Sequence, residues 1–120
     1  MLAAATALLG LAVLTGGTAA VMWLRREGGA ARLGYAHAAI AVAGFAALLV
    51  ALSGAPRGAA TGTQSFGAIA AVLLGAALLA GLVMLAARLR ARKVPGALLG
   101  AHATLAVSGF VVLAVYALLG

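Results

Sequence analysis

The sequence predicts an all-α fold, an integral membrane four-helix bundle. Three observations carry that expectation. The 120 residues are 67% hydrophobic, and a single acid, Glu27, stands against eight Lys and Arg. The apolar residues gather into four long runs rather than alternating. The second half of the chain also echoes the first. Residues 3–52 align with 68–117 at a constant offset of 65, without gaps, and 20 of the 50 pairs are identical. This composition would give roughly eight by chance.

The four runs cover about residues 2–24, 33–53, 66–88 and 95–119. At ~1.5 Å per residue each is long enough for a hydrocarbon core of ~30 Å. Only helices and closed barrels satisfy their own backbone in lipid, and period-2 alternation is missing, so the runs read as helices. The first run lacks a basic leader and is followed by Arg25-Arg26, so it reads as a retained span and not a signal peptide. The chain has no cysteine. That excludes disulfides, thiolate metal sites and iron–sulfur clusters.

The connections differ in charge. Loop 25–32 contains Arg25, Arg26 and Arg32, and loop 88–95 contains Arg88, Arg90, Arg92 and Lys93. The segment from Ser53 to Ser65 has only Arg57. Basic residues in short loops stay cytoplasmic. The expectation is therefore a bacterial inner-membrane protein with loops 25–32 and 88–95 cytoplasmic and both termini outside. The net charge of +7 is absorbed by this topology signal, so no nucleic-acid partner is expected. Trp23, Tyr35 and Tyr116 fit interfacial aromatics.

The repeat organises the expected domain. One transmembrane domain, 1–120, holds repeat A over 1–55 and repeat B over 66–120. Each repeat is a helical hairpin, so both copies enter the membrane in the same direction. Two tandem parallel hairpins call for a pseudo-two-fold axis along the membrane normal. Helices 2 and 4 then lie on a diagonal, with equivalent residues at equal depth.

The histidines repeat with the rest. His37, Ala41, Gly44 and Leu48 form one helical stripe, and His102, Ala106, Gly109 and Leu113 match it at every position. Ala5, Leu8, Leu9, Ala12 and Gly16 recur as Ala70, Leu73, Leu74, Ala77 and Gly81. Such small-residue spacing allows close helix packing. An ionisable residue inside a span is a functional candidate by default.

Heme b accounts for this pattern most economically. His37 and His102 would be axial ligands of the iron, giving six-coordinate electron-transfer iron. Gly44 and Gly109 would leave room for the flat ring. Arg25 and Arg90, an identical pair on the cytoplasmic side, would meet the propionates. A backbone carbonyl near Leu33 or Leu98 would accept the other ring N–H. His37 is expected about four residues inside its helix.

The expected function is a small b-type cytochrome or heme-carrying subunit passing electrons to or from a partner or quinone. It is not expected to be an enzyme by itself. The alternative is a cofactor-free accessory or anchor subunit of a larger membrane complex, or a homo-oligomer, its histidines serving packing alone. A transporter or channel is disfavoured, because the spans contain no acid to couple ion movement. Zinc or copper is undersupplied by two histidines without cysteine or carboxylate.

Overall fold

The computed structural model describes all residues, Met1–Gly120, as four α-helices with no strand. Helix α1 spans Leu2–Leu24, α2 Ala30–Leu52, α3 Phe66–Leu89 and α4 Gly96–Leu119. All four are long and apolar enough to cross a membrane, which suits a chain embedded in a lipid bilayer. Leu14, Val72, Leu79 and Leu118 project outward, as lipid-facing side chains do. Threonine hydroxyls within the spans are satisfied locally. Thr6, Thr15, Thr18 and Thr104 each donate to the carbonyl four residues back.

The expected boundaries hold for α1 and shift slightly elsewhere. Helix α2 starts at Ala30, three residues early, because Gly29 at φ 92 turns the chain directly into it. Helix α4 starts at Gly96 with Pro95 as its extended N-cap. The chain divides into two compact units, Met1–Gly54 and Ala55–Gly120. The connection between the hairpins therefore belongs with the second one from Ala55 onward.

In the first unit α1 packs along α2. The buried seam comprises Ala5, Leu9 and Ala12 of α1 with Gly44, Ala47 and Leu48 of α2. In the second unit α3 packs along α4. Gly67, Ala70, Leu74, Ala77 and Met84 face Gly109, Leu113 and Tyr116 there. Lipid tails are as apolar as leucine, so hydrophobic transfer does not drive this pairing. Close packing does, and it favours small residues.

Both hairpins end their first helix in the same way. Arg26 adopts φ 56, its N–H bonds Trp23 O, and the Glu27 N–H bonds Met22 O. Ala91 adopts φ 54, its N–H bonds Arg88 O, and the Arg92 N–H bonds Ala87 O. This is the Schellman arrangement, which satisfies the last carbonyls of a helix before the chain turns. Glycine ordinarily holds the left-handed position; here Arg26 and Ala91 do.

The second unit has an additional closure. The Thr61 hydroxyl donates to Leu119 O at 2.9 Å, which occupies a carbonyl at the open end of α4. Thr61 and Thr63 hydroxyls lie 2.8 Å apart, and Thr63 is buried. Gly58, at φ 83, accepts the Thr63 N–H at 2.9 Å. A Cβ there would collide with Thr63, so this turn has two reasons for glycine.

Candidate functional site

Each histidine is held by the other helix of its own hairpin. His37 lies seven residues past Ala30, about 10 Å along α2 at 1.5 Å per residue. That is deeper than the sequence suggested, because α2 begins early. Its Nδ1 sits 2.8 Å from Ala12 O on α1. His102 lies six residues past Gly96 on α4, with Nδ1 2.7 Å from Ala77 O on α3. A carbonyl only accepts, so in both rings Nδ1 carries the hydrogen. In a neutral imidazole the lone pair then resides on Nε2.

The acceptors are not the carbonyls near Leu33 and Leu98. Those are one turn back on the histidine's own helix, whereas each ring reaches across to the facing helix of its hairpin. Ala12 and Ala77 serve because of the residue one turn further along each helix. In an α-helix the carbonyl of residue i points toward residue i+4. Those residues are Gly16 and Gly81, which have no side chain to cover the oxygen. A Cβ at Gly16 would fall 2.7 Å from His37 Cε1 and 2.8 Å from Nδ1. At Gly81 it would fall 3.0 Å from His102 Cε1 and 3.4 Å from Nδ1. The imidazole edge occupies the groove that each glycine opens.

Gly44 and Gly109 are placed differently from the expectation that they leave clearance for a flat ring. The space beside Gly44 is filled by α1, where a Cβ would meet Leu9 Cγ at 2.9 Å and Leu8 Cβ at 3.1 Å. Beside Gly109 it would meet Leu74 Cγ at 2.8 Å and Leu73 Cβ at 3.1 Å. These glycines let leucine side chains of the same hairpin seat against backbone. The matched stripe His37, Gly44 and Leu48 thus faces α1, and His102, Gly109 and Leu113 faces α3.

Arg25 caps α1 and Arg90 caps α3, each immediately after its helix. Arg25 Nη1 is 3.9 Å from Glu27 Oε1, with both side chains exposed. Such a contact contributes little in water. Arg25 and Arg90 are both exposed at the basic ends of their hairpins.

Sequence reasoning missed the Ala12 and Ala77 carbonyls, because a backbone acceptor leaves no residue signature. A signal did exist. Ala12/Gly16 and Ala77/Gly81 are identical small-xxx-small pairs, each a constant 25 residues ahead of its histidine for the alanine. Thr61 and Thr63 were missed as well, since threonines in a polar loop carry no pattern. Comparison with family models, characterised proteins and solved structures finds no match for this chain.

Proposed function

We propose that this chain is a small b-type membrane cytochrome or a heme-carrying membrane subunit, with His37 and His102 as the axial ligands. One observation carries the reading. In both hairpins Nδ1–H is spent on a backbone carbonyl, so Nε2 is the lone-pair nitrogen. Metal-ligating histidines are ordinarily oriented by such a bond, which fixes the tautomer and raises the basicity of the ligating nitrogen. Bound heme b would supply one-electron chemistry without an open coordination position. The chain's own part is to hold the two rings, to surround them with apolar side chains, and to offer Arg25 and Arg90 to propionates.

The proposal requires the two hairpins to be tandem copies related by a two-fold axis along the membrane normal. Heme binding would need the Nε2 atoms of His37 and His102 to reach one iron. The basic loops 25–32 and 88–95 lie on the cytoplasmic side of a bacterial inner membrane, with both termini outside. A quinone or a partner subunit exchanges the electron.

A second reading has its own support. Leu9 and Leu74 fill the space beside Gly44 and Gly109, and the histidines already bond within each hairpin. A cofactor-free accessory or anchor subunit would need nothing more. Absorbance of protein purified from heme-replete cells separates the two. The cytochrome reading expects a Soret band and a sharp α-band on reduction, with one heme per chain by pyridine hemochrome. Colourless protein from those cells overturns it in favour of the second reading.

A further inference from the structure

We infer that Gly16 and Gly81 are positioning residues. With the Ala12 and Ala77 carbonyls they hold His37 and His102 as Nδ1–H tautomers and so make Nε2 the ligating nitrogen of each hairpin. The tautomer follows from the hairpin alone. Only its use toward iron rests on the cytochrome reading.

The geometry leaves the ring little choice. The Nδ1–Cε1 edge of His37 occupies the place where a Gly16 side chain would begin, with Cε1 nearest at 2.7 Å. Real Cβ atoms do not approach a ring atom that closely, so any residue larger than glycine displaces the imidazole. A ring displaced from the groove over residue 16 moves away from Ala12 O, which the Thr15 hydroxyl also reaches at 3.1 Å. His102 and Gly81 repeat the arrangement with slightly more room, 3.0 Å to Cε1. The carbonyl and the missing side chain therefore act together: one supplies the acceptor and the other gives access. Gly17, beside Gly16, is different. It is exposed, and a Cβ there meets nothing within 4 Å.

The test is nitrogen NMR of protein with ring-labelled histidine, prepared without heme in detergent micelles. Protonated and unprotonated ring nitrogens resonate far apart, so the tautomer of each histidine is read directly. Both histidines should be Nδ1–H. In Gly16→Ala, His37 should lose its single-tautomer pattern and its ring N–H should exchange about tenfold faster. Tenfold corresponds to about 1.4 kcal/mol, the order of a membrane interhelical hydrogen bond. His102 should stay unchanged in that protein, reporting that the second hairpin is intact. Gly81→Ala should act on His102 in the same direction to a smaller degree, and Gly17→Ala should alter neither.

An Nε2–H tautomer in the unsubstituted protein overturns the inference, and that measurement does not depend on any variant folding. A His37 signal unchanged by Gly16→Ala overturns it as well. Correct tautomers in a protein that takes up no heme would sink the cytochrome reading and leave the positioning role standing.

Discussion

Replacing Gly44 by alanine tests whether the shared small-residue stripe is a packing seam. The added Cβ would lie 2.9 Å from Leu9 Cγ and 3.1 Å from both Leu8 Cβ and Leu9 Cδ2. Leu9 is only 4% exposed, so it cannot swing aside. Forcing a methyl into such a site costs about 1–3 kcal/mol. The substitution also raises helix propensity by up to ~1 kcal/mol. Gly17→Ala makes the same propensity change in open space and supplies the reference. Gly44→Ala should therefore be about 1–3 kcal/mol less stable than Gly17→Ala in an SDS titration followed by far-ultraviolet circular dichroism. Leu9→Ala should be destabilising by itself, since its residual cavity costs ~24 cal/mol per Å³. In combination with Gly44→Ala it should recover at least ~1 kcal/mol relative to the sum, because the new methyl enters the space that Leu9 vacates. Equal stability of Gly44→Ala and Gly17→Ala would refute the packing account, and so would strict additivity in the double variant.

Three further outcomes are expected. Ala91→Gly should stabilise the second hairpin by about 1 kcal/mol, the usual cost of a left-handed non-glycine residue, raising the SDS midpoint in the same titration. Thr61→Val removes the hydroxyl bonded to Leu119 O and should loosen the end of α4. Faster amide hydrogen exchange confined to residues near the α4 C-terminus checks this, and unchanged exchange there contradicts it. The chain has no native cysteine, so single cysteines report topology. Gly28→Cys should react with an impermeant maleimide only in inverted vesicles, and Ala59→Cys only in right-side-out vesicles. The reverse pattern would invert the proposed orientation.

The helices were legible because lipid imposes a simple demand. A run of some 23 residues without charge must satisfy its backbone internally, and the boundaries then follow from where charge, glycine or proline begins. The early start of α2 was not legible, because it depends on Gly29 adopting φ 92. A glycine pair in a loop does not say which member takes that conformation. The histidines were legible as members of a packed stripe, since His37, Gly44 and Leu48 recur with the same spacing in α4. Their immediate surroundings were not. The stripe predicts a buried face without saying which helix covers it, and α1 and α3 cover it within each hairpin. The acceptor atoms are backbone oxygens of two alanines, which composition and periodicity cannot distinguish from the many other alanines in the spans.

Two roles meet in one side chain, and a conservative substitution separates them. As an interhelical tie, His37 needs only an N–H directed at Ala12 O. As an iron ligand it needs the lone pair on Nε2. Asparagine can place an amide N–H near the Nδ1 position and has no counterpart of Nε2. His37→Asn should therefore keep most of the tie, while His37→Ala loses a bond of about 0.6–1.7 kcal/mol. If the histidines act only as ties, Asn should stay close to the native protein in stability, and Ala should fall below both. If they are ligands, both variants should lose the low-spin heme spectrum equally, although only Ala loses the tie. The comparison is informative because Ala12 O still accepts its helical hydrogen bond from Gly16 in either variant. No carbonyl is orphaned, and the difference between Asn and Ala measures the imidazole tie itself. A stable Asn variant that retains a native low-spin spectrum would remove His37 from the iron.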